Sequence, residues 1–129
     1  MAEGTTSISK NIHFDLVSGL SKDIESLKRL LSNMRGMYYD NEALEKKIAK
    51  KDELIYEFYD PKIPEKDTEI TFGTSITYPG LVGEEYYMTK GHFHVQLETA
   101  EVYYCLKGFG YMLMENPEGE WEAQEMRPG

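Results

Sequence analysis

Hydrophobic and polar positions along the chain change their period near residue 54, from helix-like to strand-like spacing. Before that point, apolar residues recur at three- and four-residue steps, which predicts an amphipathic helix that stops near Gly36. A second helix is predicted from about Asn41 to Lys50, with Asp40 or Asn41 as its N-cap. The stripe of the first helix consists of Leu20, Ile24, Leu27, Leu31 and Met34.

From residue 54 onward, the pattern predicts a series of short β-strands separated by proline and glycine. In the strand at 101–107, the apolar face of Val102, Tyr104 and Leu106 is expected to lie in the core. The turn at 116–119 predicts a hairpin between the last two strands. The predicted strands span residues 54–59, 69–78, 86–94, 101–107, 109–115 and 121–126.

These elements divide the chain into three expected parts. Residues 1–11 are expected to form a disordered tail, and residues 12–53 an N-terminal edge strand with a two-helix cover. Residues 54–129 are expected to form a β-sandwich or barrel. Because the Pro128-Gly129 turn normally introduces another strand, we expect this barrel to be incomplete, with one open edge.

Composition excludes several classes of function. A length of 129 residues suits one domain, and a net charge of −9 argues against a nucleic-acid-binding surface. The single cysteine, Cys105, rules out an internal disulfide and is typical of a reducing compartment. The first residues lack the basic region and apolar core of a signal peptide, and no apolar run approaches roughly 20 residues, so neither a signal peptide nor a membrane span is expected. These features predict a cytoplasmic protein without nucleic-acid or membrane partners.

Two histidines, His92 and His94, form the strongest candidate for chemistry. Residues i and i+2 of a strand face the same side, so both imidazoles can point at one divalent metal ion. A nearby carboxylate would complete a two-histidine, one-carboxylate ligand set. Glu101, at the head of the next strand, is favoured over Glu98, which lies in a predicted turn. His13 is expected to be an exposed or hydrogen-bonded histidine rather than a third imidazole ligand.

The order His92-x-His94, Glu101 and then Gly108 is similar to the first conserved motif of the cupins, which are double-stranded β-helix (jelly-roll) barrels. Six residues separate His94 from Glu101, a longer spacing than in the commonest cupins. With this spacing, the chain resembles the archaeal cupin-type glucose-6-phosphate isomerases over most of its length from about residue 12. The segments that carry the resemblance are Tyr78-Pro79-Gly80, Thr89-Lys90-Gly91-His92-Phe93-His94 and Ala100-Glu101-Val102-Tyr103.

The resemblance implies a mainly β cupin barrel with two N-terminal helices and one divalent metal. His92, His94 and Glu101 would be its ligands, with iron the expected metal and zinc, nickel or manganese as alternatives. The family's fourth ligand, a histidine of the second cupin motif, would lie beyond Gly129, so the resemblance implies a chain truncated at its C-terminus. Such cupins pair as homodimers, which makes a homodimer the expected assembly.

The implied reaction interconverts glucose 6-phosphate and fructose 6-phosphate, with Glu101 and His92 as catalytic residues. The residues leave two routes open, proton transfer by a base such as Glu101 or an internal hydride shift. By the same resemblance, the phosphate of the substrate would be bound by hydroxyl groups and backbone amides. The matching positions are Tyr56, Ser75, Thr89, Gly91 and Tyr103.

Two other functions remain open at the level of sequence. As the alternative to the isomerase, the chain could be a truncated, non-catalytic cupin that binds a sugar phosphate or a partner chain. A metal-dependent cupin dioxygenase uses the same ligand set, although the dense match over residues 78–108 favours the isomerase.

Overall fold

The computed structural model of the protein describes residues 11–64 and 66–129, and it is built mainly from short antiparallel strands. The predicted tail at 1–11 lies outside the described residues except for Asn11. In chain order the elements are β1 (Leu27–Leu30), a 3-10 turn (Leu31–Met34), α1 (Asn41–Lys50), β2 (Leu54–Tyr59), β3 (Thr74–Thr77), β4 (Leu81–Val82), β5 (Glu85–Tyr86), β6 (Gly110–Glu115) and β7 (Trp121–Met126).

The strands form three separate antiparallel sheets. The largest sheet has the order β1-β2-β3, and the other two are the hairpins β4-β5 and β6-β7. In the largest sheet, Tyr56 pairs with Arg29 on one side and with Thr77 on the other. This arrangement confirms a mainly β fold with few helices, and the sheets of the described residues do not close into a barrel.

The predicted first helix is wrong. Its segment instead forms β1 and the 3-10 turn, because β1 pairs with β2 from Leu27↔Phe58 onward. Only Leu31 and Met34 of the apolar stripe are fully buried, and Leu20 and Leu27 remain exposed. The predicted edge strand at 12–17 is reduced to one isolated bridge between Phe14 and Ser21. Long-range backbone pairing has here outweighed a weak helical period.

The second predicted helix is confirmed at the predicted bounds, as α1. The Asp40 carboxylate caps it by accepting a hydrogen bond of 2.9 Å from the Ala43 N–H. Glu42 lies in the first turn, and Lys47 and Lys50 lie in the last turn. Each charge therefore interacts favourably with the helix dipole. No helix in the described ranges is long and apolar enough to span a bilayer.

Removing this cap tests how far local signals stabilise α1. Asp40→Ala is expected to lower the free energy of unfolding by about 1 kcal/mol, because the Ala43 N–H loses its partner at the helix N-terminus. Urea denaturation followed by circular dichroism measures the change. Asp40→Asn, which retains a side-chain oxygen acceptor, should preserve most of the stability; equal losses in both variants would contradict the capping role.

The core lies where α1, the 3-10 turn and β4 pack against β2. Its fully buried side chains come from all four elements, and tyrosines at its border complete it. Gly80 allows a close approach here, because a Cβ at this position would lie 2.3 Å from Cε2 of Tyr87. The largest fully buried side chains are Leu31, Met34, Leu44, Ile55 and Val82.

Two of the predicted strands are wrong at their predicted bounds. Of the segment at 86–94, only Tyr86 belongs to a strand, and the segment at 101–107 contains none. The physical reason is that a strand needs a neighbour along its length for its N–H and C=O groups. In the described part of the chain, Tyr86 pairs with Leu81 and the Cys105 carbonyl accepts from the Gly129 N–H, but neither segment has a continuous ladder. Val102 and Tyr104, expected in the core, are 91% and 70% exposed.

The hairpin between the last two strands is confirmed. β6 and β7 pair in register from Gly110↔Met126 to Glu115↔Trp121. At the turn, the Gly119 N–H donates to the Asn116 carbonyl at 3.0 Å, and Gly119 adopts a φ of +84°, which a glycine tolerates without strain.

Candidate functional site

The two candidate histidines lie in a long segment without regular structure, residues 87–109, which we name the histidine loop. The His92 and His94 rings are adjacent, with centroids 5.8 Å apart and planes inclined by 36°. Although the segment is not a strand, the two imidazoles are therefore neighbours, as their spacing predicted.

His94 is held from both sides. Its Nε2 lies 3.0 Å from Oε2 of Glu101, and its Nδ1 lies 2.8 Å from Oγ1 of Thr99. The Thr99 hydroxyl donates to the Gln96 carbonyl at 2.8 Å, so it accepts from Nδ1–H of the ring. The distance of 3.0 Å between Nε2 and the carboxylate oxygen is that of a hydrogen bond, so the two functional groups are in direct contact.

Tyr103 lies near enough to Glu101 for the carboxylate to affect its pKa. Burial raises the pKa of the Tyr103 phenol, and the hydrogen bond to Glu101 together with the charge of that carboxylate raises it further. The phenol therefore stays protonated and remains a hydrogen-bond donor at neutral pH. Of the two candidate carboxylates, the structure places Glu101 against His94, and Glu98 makes no hydrogen bond or ion pair within the described residues.

The donor set of His92, His94 and Glu101 matches the chemistry that divalent transition metals prefer. His94 and Glu101 are already in contact, and the His92 ring lies beside them. In the described part of the chain, no group of three or more histidine, cysteine, aspartate or glutamate side chains is yet assembled closely enough to hold a metal ion. The three donors therefore suit a divalent metal by their chemical type alone.

The predicted phosphate-binding residues fall into two groups. Tyr56 and Ser75 share one face of the largest sheet, because Tyr56 pairs with Thr77 and Phe58 pairs with Ser75. Thr89, Gly91 and Tyr103 lie in the histidine loop. Within residues 11–64 and 66–129, no hydrogen bond or ring contact joins the two groups.

Gly91, the residue before His92, adopts a φ of +67°. This left-handed conformation suits glycine, and a glycine lets its backbone N–H approach a bound anion closely. The predicted role of Gly91 therefore has a backbone geometry that agrees with it.

Sequence reasoning missed a buried carboxylate behind the sheet. Glu57 is only 5% exposed, and it accepts hydrogen bonds from the Ser26 hydroxyl at 2.9 Å and the Tyr78 hydroxyl at 3.0 Å. Burial, followed by this bond to Glu57, raises the pKa of Tyr78. The available signal was an acidic residue in the middle of the apolar strand β2, which requires satisfied partners when buried.

His13 confirms the expectation of a hydrogen-bonded surface histidine. Its backbone N–H donates to Oδ2 of Asp23 at 2.8 Å, and its Nδ1 lies 3.2 Å from the same oxygen. The backbone hydrogen bond from His13, followed by its side-chain bond, lowers the pKa of Asp23.

Comparison with known proteins gives one consistent family. The family model described as "Glucose-6-phosphate isomerase (GPI)" matches residues 28–127. A glucose-6-phosphate isomerase of Thermococcus litoralis is 42% identical over 118 residues, which is 92% of this chain and 62% of that relative. The Pyrococcus horikoshii enzyme of the same name is 41% identical with the same coverage. A Sinorhizobium medicae relative is 36% identical over 108 residues, 82% of this chain and 50% of its own length.

The coverage sets a limit on what these names imply. This chain spans about 62% of the length of the Thermococcus and Pyrococcus relatives that it matches. The matched part contains the histidine loop, β2 and β3, and hence both groups of predicted site residues.

Proposed function

Because this chain belongs to the glucose-6-phosphate isomerase family, we propose that it interconverts glucose 6-phosphate and fructose 6-phosphate. The observation that supports this most directly is the contact of 3.0 Å between His94 Nε2 and the Glu101 carboxylate. An aldose–ketose isomerisation moves one hydrogen between adjacent carbons, and a carboxylate in this setting is a suitable base.

In the proton-transfer route, the Glu101 carboxylate removes the proton from C2 of the aldose and returns it to C1. In the resulting enediol, a hydroxyl proton moves between the oxygens on C1 and C2. His94 orients the carboxylate, and the protonated Tyr103 phenol donates a hydrogen bond. In the alternative route, a hydride shifts directly between the two carbons and Glu101 only orients the sugar. His92 lies beside His94 and would contact the same reacting region.

A divalent metal is part of the proposal, with iron expected and zinc, nickel or manganese as alternatives, and His92, His94 and Glu101 as the residues that hold it. When bound there, such a metal supplies a Lewis acid that polarises the carbonyl of the sugar. The support for this ligand set is its donor chemistry, two imidazoles and one carboxylate.

Metal removal is expected to abolish isomerase activity. Because the donor set lies in a loop and not on paired strands, a chelator should extract the ion readily, and Fe²⁺, Zn²⁺, Ni²⁺ or Mn²⁺ should restore turnover to different extents. Metal analysis of protein purified without added metal, followed by the assay before and after chelation, measures this. Full activity in metal-free protein would overturn the metal proposal and leave the isomerase proposal standing.

The proposed phosphate site combines hydroxyls with a backbone amide. Tyr56 and Ser75 would contribute from the sheet, and Thr89, Gly91 and Tyr103 from the histidine loop. Hydroxyl and N–H donors suit phosphate oxygens, which only accept hydrogen bonds when fully ionised. For these donors to meet at one phosphate, the histidine loop must lie over the face of the sheet that carries Tyr56.

We further propose a cupin jelly-roll barrel that forms a homodimer in the cytoplasm. Support comes from the apolar side chains that the described residues leave exposed, including Val102 at 91% and Trp121 at 71%. Many large apolar side chains are exposed in the described residues, and further strands or a partner chain would cover such side chains. Light scattering of the purified protein measures whether it is a dimer.

A second function, sugar-phosphate binding without catalysis, is the alternative to isomerase activity. The experiment compares the 129-residue chain with the same chain joined to the part of the Thermococcus litoralis relative that lies outside the match. Turnover by both supports the isomerase. Turnover by the extended chain alone, with glucose 6-phosphate binding by both, supports the binding function. The third candidate, a dioxygenase, is disfavoured because the family match is to an isomerase.

A further inference from the structure

Arg29 lies on the same face of the largest sheet as two of the predicted phosphate-binding residues. It pairs directly with Tyr56, which pairs in turn with Thr77, so the three residues form one row across β1, β2 and β3. Ser75 lies diagonally from Tyr56 on this face, a separation that long side chains bridge. We name this surface the Arg29 face.

The guanidinium of Arg29 lacks a carboxylate partner in the described residues, although the side chain is half-buried. Its hydrogen bond there runs from Nη1 to the carbonyl of its neighbour Lys28, at 3.3 Å. The other two arginines are both ion-paired, Arg35 with Glu45 and Arg127 with Glu125. In a chain with 23 acidic and 14 basic residues, a half-buried arginine without an acidic partner is unexpected.

The backbone at this position also has a special geometry. The register between β1 and β2 shifts between Arg29 and Leu30, which is a β-bulge or irregularity in the edge strand of the described sheet. Bulges bend a strand and change the direction of a side chain, and they occur next to binding sites more often than elsewhere. The bulge therefore gives a local reason for Arg29 to project differently from an ordinary strand residue.

We propose that Arg29 binds the phosphate of the substrate and so selects phosphorylated over free sugars. The inference rests on the proposed function for the identity of the substrate, and on the Arg29 face for the site. Its chemistry follows from the guanidinium, which presents a planar fork of N–H donors to two phosphate oxygens at once. Tyr56 and Ser75 contribute hydroxyl groups beside this fork. The four residues, Arg29, Tyr56, Ser75 and Thr77, supply a positive charge with three hydroxyls.

The test compares Arg29→Met with a matched control, Lys28→Met. Both variants remove one positive charge from neighbouring positions of β1, but Lys28 pairs with Glu57 and lies on the opposite face. Isothermal titration calorimetry with inorganic phosphate, glucose 6-phosphate and glucose measures binding to the full chain. Arg29→Met is expected to weaken binding of both phosphate ligands about 10- to 100-fold, since a charge-assisted contact is lost, and to leave glucose binding unchanged.

Arg29→Lys serves as the second variant, because it keeps the charge and the stem but not the fork. Arg29→Lys is expected to lose less phosphate affinity than Arg29→Met. If Arg29→Met does not fold, the phosphate affinity of Arg29→Lys still tests the inference. Kinetics give a further criterion, because loss of ground-state phosphate binding raises KM more than it lowers kcat.

Each outcome decides the inference. Unchanged phosphate affinity in both Arg29 variants, equal losses in Arg29→Met and Lys28→Met, or no phosphate binding by the wild-type chain would overturn it. Phosphate binding that depends on Arg29 without isomerisation supports the inference and contradicts the proposed activity. Isomerisation with an unaltered KM in the Arg29 variants supports the activity and contradicts the inference.

Discussion

Glu101→Gln is expected to lower kcat/KM for fructose 6-phosphate by about 10²- to 10⁴-fold, the range that a general base contributes. The amide cannot take a proton from carbon, although it keeps the size of the side chain that contacts His94. A spectrophotometric assay coupled to oxidation of glucose 6-phosphate measures the loss. Metal content is determined on the same samples, so that loss of the metal is separated from loss of the base.

Glu98→Gln is the matched control for this result. It makes the same change of charge in the histidine loop, at a carboxylate that forms no hydrogen bond with His94 in the described residues. Near wild-type activity is expected. Full activity of Glu101→Gln with metal bound would exclude proton transfer by this carboxylate and favour the hydride shift, whereas a severe loss only in Glu98→Gln would assign the role to Glu98.

Leu44→Ala is expected to lower the free energy of unfolding by about 2–5 kcal/mol, which is a large part of the stability of a small domain. Leu44 is 1% exposed and connects α1 to a core that includes Ile55 of β2 and Val82 of β4. Its truncation removes apolar contact and leaves a cavity that the surrounding helix and strands fill only partly. Urea denaturation with a constant m-value measures the change.

The same substitution at an exposed leucine provides the comparison. Leu16 is 70% exposed, so Leu16→Ala should change stability by less than about 0.5 kcal/mol. If the two variants lost equal stability, the core would not be centred on α1 and β2. The comparison therefore tests the placement of the core directly.

The parts of the fold that local contacts determine were predicted correctly. α1 has its cap at Asp40 three residues before the amide that it binds, and the β6-β7 turn has Gly119 in the conformation that glycine favours. The candidate site likewise rests on contacts between residues that are close in sequence. The His92 and His94 rings are neighbours, and His94 contacts Glu101, seven positions away. Short separations of this kind are encoded in the spacing itself.

Among the parts that depend on distant partners, the strand at 54–59 was predicted at its observed bounds, but several others were not. Residues 27–30 read as helix by their apolar period, yet β2 pairs with them and makes them a strand. Residues 86–94 and 101–107 read as strands by their alternation, yet in the described chain only Tyr86 joins a strand. The second segment accepts a backbone hydrogen bond from Gly129 at Cys105 but forms no ladder. An alternating pattern shows which face a strand would bury, but its hydrogen bonds need a second strand.

By itself, the sequence determined the family, the acidic character of the chain and the residues with candidate chemistry, because motifs and charges are local properties. The tertiary structure decided that Arg29 lies beside Tyr56 and that Glu57 is buried with the Tyr78 hydroxyl. These neighbours are more than 20 residues apart, and only the pairing of β1, β2 and β3 brings them together. Register across a sheet is set by many weak contacts at once, and no single stretch of sequence contains it.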